Sequence, residues 1–127
     1  MTAEDLGRVL IDMRRAGYVR ALAVVSREGI LVASDMPPDV HAETFAAMAA
    51  IMLNAAETAA LELHEAPPDR LIVETDEGKL VVAGAGERMM LVALIEARTG
   101  LGHVIVEMSK AIARIRDIFG DGKNIKL

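Results

Sequence analysis

The sequence predicts an α/β protein in three layers, one antiparallel sheet with helices on both faces. Two hairpin signatures, ALAVVS-REG-ILVAS and LIVET-DEG-KLVVAG, are present, and a further strand-like run, MMLVALIE, closely follows the second. Of these runs, VVAGA and MMLVALI are nearly continuously apolar, and strands of that kind are covered on both faces. Three helical segments are available to cover them. The length of 127 residues is about that of a single domain. We therefore expect one domain over residues 1–127, with a core at about 3–119 and a short tail at 120–127.

Residues 3–16 place Leu6, Val9, Leu10 and Met13 on one face and Glu4, Asp5, Arg8, Asp12 and Arg15 elsewhere, the pattern of an amphipathic helix. Thr2, with Asp5 three residues on, is the expected cap, and Gly17 the expected stop. Strands follow at 21–26 and 30–34, joined by Arg27-Glu28-Gly29, in which glycine can take the left-handed conformation that a tight hairpin needs. Pro37-Pro38 and Pro67-Pro68 bracket a helix from about 40 to 64, with Asp39 as its expected cap. Strands at 71–75, 79–84 and 89–96 then form a meander. A last helix, about 100–119, buries Leu101, Val104, Ile105, Met108, Ile112, Ile115 and Phe119, and Gly120 stops it.

The central helix is unusual because FAAMAAIMLNAAETAALEL, residues 45–63, has apolar residues on nearly every side and no charge before Glu57. At 100° per residue, Phe45, Met48, Ala49, Met52, Ala56, Ala59 and Leu63 fall together and hold most of the bulk, so they are expected on the sheet. Roughly opposite lie Ala47, Ala50, Ile51, Asn54, Thr58 and Leu61, a second stripe that a monomer would leave in water. Alanine chosen for helix propensity explains part of this composition but not Ile51 or Leu61. The uncharged run from Thr44 to Ala56 falls short of the ~20 residues that a bilayer span needs. Another helix is the expected cover, so these six residues are the candidate interface.

Composition excludes several classes of function. Net charge is −5 and aromatic content 2%, namely Tyr18, Phe45 and Phe119. A basic stripe and a stacking platform are both missing, which argues against nucleic acid. With no cysteine there is no disulfide, thiolate nucleophile or cysteine metal site. The acidic start, MTAEDLGRVL, does not resemble a secretory signal, so a cytoplasmic location is expected.

No catalytic, cofactor or metal residue is expected. GAGER, residues 84–88, lacks the full glycine fingerprint and joins strand to strand, so it reads as a hairpin turn. His103 and Glu107 stand four apart on a helix, but two groups are too few for a metal site. His41 and His64, at the ends of the central helix, need no functional role. Ser26, Ser34 and Ser109 have no positioned base. Arg27, Arg70, Arg88 and Arg98 lie near strand ends, where an arginine finger supplied in trans is conceivable, but a solvated loop arginine is the simpler reading.

The order of elements, carried by VVSREGILVASDMPPD, AAMAAIMLNAAETAA, RLIVETDEGKLVVAGAGERMMLVALIE and TGLGHVIVEMSKAIARI, resembles the roadblock family, which is related to dynein light chains and to bacterial and archaeal regulators of Ras-like GTPases. The resemblance covers about residues 3–119 and rests on the order and spacing of these pieces, none of which is a catalytic signature. It implies a profilin-like sheet in order 2-1-5-4-3, with the first and last helices on one face and the central helix on the other. It also implies a homodimer in which central helices pack together and third strands pair edge to edge, which adds Leu71 and Val73 to the interface. The implied function is a non-catalytic dimeric scaffold or regulator that binds a Ras-like small GTPase, with stimulation of its GTP hydrolysis as a further expectation. The alternative is a small-molecule sensor on a PAS-like sheet, which would need a polar-lined cavity between sheet and helix.

Overall fold

The computed structural model describes residues 3–16 and 19–120. Its elements are α1 (Ala3–Arg15), β1 (Val19–Ser26), β2 (Leu31–Asp35), α2 (Ala42–Glu62), β3 (Arg70–Glu74), β4 (Gly78–Gly84), β5 (Met89–Glu96) and α3 (Leu101–Ile118). The expected cap Thr2 and stop Gly17 lie outside the described residues. All five strands form one antiparallel sheet in the order β2-β1-β5-β4-β3. This is the order that the family resemblance implied.

Alternation along the strands sends side chains to two separate cores. Leu22, Val24, Val81, Leu91, Ala93 and Ile95 meet Leu6, Val9, Leu10 and Met13 of α1 and Val104, Met108, Ala111 and Ile115 of α3. Ala23, Val25, Val82, Met90 and Val92 point the other way, against α2. Hence the central strands are apolar at almost every position. Arg114 bonds Asp12 across the α1–α3 pair at 2.8 Å, and Arg14 bonds Asp35 of β2 at 2.9 Å. Both pairs are well exposed and contribute at most about 1 kcal/mol each. The second core and the two sheet edges, β2 and β3, set the position of the functional surface.

The β1–β2 turn lies close to α2. Gly29 has φ +95°, and a Cβ there would stand 3.2 Å from the Ala47 Cα and 3.6 Å from the Ala50 Cβ. Glycine is needed both for the backbone and for the approach.

Two expectations for α2 are corrected. Its cap is His41, which makes no side-chain cap bond, because Asp39 is spent in a turn closed by Val40 N–H donating to the Pro37 carbonyl at 3.1 Å. The helix is also rotated from the expected setting by somewhat less than one residue's 100°. Ala46, Ala49, Ala50 and Leu53 are the buried residues, with Phe45 and Met52 packed beside them. Met48 and Leu63, expected on the sheet, are 49% and 72% exposed, and Ala59 is exposed as well. Small residues let the helix lie close to the sheet and the Gly29 turn, so bulk is turned outward.

Candidate functional site

The outer face of α2 is the main apolar exposure of the described surface. Ile51 is 59% and Leu61 70% exposed, Asn54 and Thr58 are exposed, and Ala47 is half-buried. Ala50 belongs elsewhere, because it is buried beneath the helix beside the Gly29 turn. Met48 and Ala55 take places on the outer face that the bulk-based reading did not give them. Thr44, Met48, Ile51, Ala55, Thr58 and Glu62 follow one another in alternating steps of four and three, the spacing of a helix–helix seam. That spacing was the available signal.

Leu71 and Val73 lie on β3, the sheet edge flanking β4. Leu71 packs into the α2-side core, and Val73, two residues on, shares its face; both are half-buried. The exposed helix stripe and the open strand edge therefore occupy the same side of the sheet. Each alone invites association, the first through apolar area and the second through unpaired backbone groups.

A polar cluster fixes this side of the molecule. Arg27, in the β1–β2 turn, donates from one nitrogen to both carboxylate oxygens of Glu57 on α2 at 2.9 Å, and from a second to the Gly86 carbonyl at 3.2 Å. One side chain thus links two turns and the helix. Asn54 Nδ2 donates to the Arg27 carbonyl at 3.2 Å, which orients its amide at the edge of the stripe.

None of the four arginines considered as a finger stands out as a catalytic group. Arg27 is committed to Glu57 and Gly86. Arg88 donates to the Phe119 carbonyl and sits over the Phe119 ring, 5.9 Å from its centroid. Arg70 opens β3 and is exposed. Arg98 lines an open groove of about 1100 Å³ with Arg20, Asp76, Glu77, Glu96 and His103, beyond the end of β5 opposite the β1–β2 turn that holds Arg27. GAGER closes the β4–β5 hairpin, with Ala85 N–H donating to the Met89 carbonyl at 2.8 Å. His103 Nε2 is 3.1 Å from the Ala16 carbonyl, and Glu107 accepts from Lys110 at 3.3 Å. No group of three His, Cys, Asp or Glu suited to a metal occurs among the described residues.

The layer between α2 and the sheet is filled by aliphatic side chains. Ala46, Ala49, Leu53, Val25, Val82 and Met90 are each fully buried there, which disfavours a ligand cavity in that layer. By length and composition alone α2, with 21 residues and a mean hydropathy of 1.4, would suffice to cross a membrane. In the fold it is one layer of the sandwich, held to the sheet by these contacts and by Arg27.

Comparison with known proteins places this surface in context. The Roadblock/LC7 domain family profile matches residues 6–95. Protein MJ0714 of Methanocaldococcus jannaschii is 32% identical over 119 residues, covering 94% of this chain and all of that protein. Among solved structures, Myxococcus xanthus MglB superposes with a TM-score of 0.87 at 21% identity, covering 93% of this chain and 90% of its own. An MglB with a tetrameric arrangement gives 0.83 at 24% identity, covering 91% and 88%. Schizosaccharomyces pombe profilin gives 0.66 at 11% identity over 88% and 96%, so the profilin-like description of the fold holds.

Proposed function

We propose, from the premise that the chain belongs to the Roadblock/LC7 domain family, that it works as a homodimeric platform for a Ras-like small GTPase and has no catalytic residues of its own. The observation that carries this reading is the exposed α2 seam beside the open β3 edge. A helix stripe with Met48, Ile51 and Leu61 in water is unfavourable for an isolated protomer. Pairing of two α2 helices covers the seam, and pairing of two β3 strands satisfies the edge. The tetrameric arrangement of one MglB structure of this fold supports self-association as a use of the fold.

The GTPase reading follows from the family, and the site is consistent with it. A two-fold platform presents two equivalent half-sites, so it binds two GTPases, or one that straddles the axis. Stimulation of hydrolysis then comes from ordering the GTPase's own switch residues, since Arg27 and Arg88 are already engaged in the protomer. Recognition of switch regions makes affinity depend on the γ-phosphate. A tenfold preference requires only about 1.4 kcal/mol of differential contact.

Calorimetry with each Ras-like GTPase of the same organism, in GTP-like and GDP states, tests the proposal. The expected outcome is binding of at least one of them with a preference between states, undiminished by Arg70→Ala or Arg98→Ala. Failure of every GTPase to bind would leave a dimeric scaffold without this partner.

A further inference from the structure

We infer that Arg27 is a positioning residue for the proposed partner: it holds the β4–β5 turn, residues 85–88, against α2, so that helix and turn meet the GTPase as one surface. This rests on the platform reading and adds to it the residue that shapes the platform's edge. Two nitrogens of the guanidinium serve two elements. Nη1 donates to both carboxylate oxygens of Glu57 on α2, and Nη2 donates to the Gly86 carbonyl in the β4–β5 turn. The main chain of Arg27 bridges the same two elements, its N–H donating to the Arg88 carbonyl at 2.9 Å and its carbonyl accepting from Asn54 Nδ2 at 3.2 Å. A lysine could not do the same, since one ammonium offers a single donor atom where two separate nitrogens are in use.

The surroundings are shaped to the guanidinium at some cost in stability. Strand β4 ends in Gly84, where a Cβ would stand 2.5 Å from Nη2 and 3.5 Å from Cζ of Arg27. Its φ is not positive, so the space, and not the backbone, requires glycine, a residue that weakens a strand. Arg27 Nε is buried without an acceptor, and an unpaired buried donor offsets part of what the ion pair contributes. Stability is therefore a poor account of the arrangement, because apolar side chains of similar volume often serve it as well. What the planar fork supplies is fixed geometry.

The edge fixed in this way presents polar groups. Glu28 in the β1–β2 turn, Glu87 in the β4–β5 turn and Asn54 on α2 are all exposed. Recognition of a partner's switch regions profits from groups held in place before contact, because ordering them during binding costs affinity. Two substitutions loosen the tie from opposite sides. Arg27→Lys keeps the charge beside Glu57 and gives up the Gly86 carbonyl, whereas Gly84→Ala leaves Arg27 intact and pushes its tip away from that carbonyl.

Hydrogen exchange reads the tie without any partner. The Arg27 amide, bonded to Arg88, and the Ala85 amide, bonded to the Met89 carbonyl, should exchange about tenfold faster in either variant as the turn loosens. A thermodynamic cycle checks the geometry: Gly84→Ala should lower the urea midpoint of the unaltered chain and raise that of Arg27→Ala, where the added methyl has room. Calorimetry with each Ras-like GTPase of the same organism, loaded with GDP or a GTP analogue, then separates positioning from mere support. Both variants should sediment as the unaltered chain does yet lose about tenfold of the preference between nucleotide states. Full preference despite faster amides, unchanged amides in both variants, or a midpoint shift of the same sign in both backgrounds overturns the positioning role. Absence of binding by the unaltered chain in every case overturns the platform reading and this role with it, whatever the amides do.

Discussion

Gly29 joins the backbone of the β1–β2 turn to the placement of α2. Its φ of +95° is unfavourable for any L side chain, and an added Cβ would stand 3.2 Å from the Ala47 Cα, a backbone atom that cannot rotate away. Gly29→Ala should therefore cost about 1–3 kcal/mol, read as a lower urea midpoint with unchanged slope; an unaltered midpoint would contradict the close approach. Need for this glycine was legible in the sequence, because a three-residue link between strand patterns calls for a left-handed position. Other single residues were not legible. Asp39 is a better capping residue than His41, but Pro37 and Pro38 start a turn that uses up the positions before the helix. His64 takes φ +60° and ends α2, with Glu65 N–H donating to the Ala60 carbonyl at 2.9 Å and His64 N–H to that of Leu61 at 3.0 Å. Glycine or asparagine is the usual signal for such an end, so histidine gave no warning.

At the scale of elements, the rotation of α2 was hidden because between Glu43 in its first turn and Glu57 the helix has no charge to mark its wet side, and its bulk pointed the wrong way. Bulk fails as a guide where a helix must lie close to a sheet. Glu57, a charged residue, is only 28% exposed because Arg27 compensates its carboxylate. Ile51→Glu tests the corrected face. It places an unpaired charge in the seam and should cost about 3–5 kcal/mol of association free energy, seen as dissociation at micromolar concentration. Because Ile51 is 59% exposed in the protomer, the substituted chain should still fold, with a native circular dichroism spectrum. The strand edge makes a separate prediction. If β3 pairs with its mate, the amides of residues 71–74 that point away from β4 are protected in hydrogen exchange of the intact protein, and Ile51→Glu removes that protection. Rapid exchange of those amides in the unaltered protein would show that the edge is open.

For the whole molecule, the three layers were legible from physics alone: continuous apolar strands require cover on both faces, and three helices were at hand. Strand order was not legible in that way, because adjacent hairpins leave the position of the first pair relative to the meander undetermined, and it came from the resemblance. The candidate surface was partly legible. Ile51, Asn54, Thr58 and Leu61 were found by periodicity, whereas Met48 and Ala55 needed the orientation that only packing supplies. Identity of the proposed GTPase partner depends on the chemistry of a second protein, which no residue here encodes.

Everything proposed for this protein depends on whether the outer seam of α2 is covered by a second copy. Sedimentation equilibrium of the unaltered chain at micromolar concentration measures that most directly. The account predicts a mass of twice the 13.6 kDa chain, falling to the single-chain value for Ile51→Glu; a single-chain mass for the unaltered protein would contradict it.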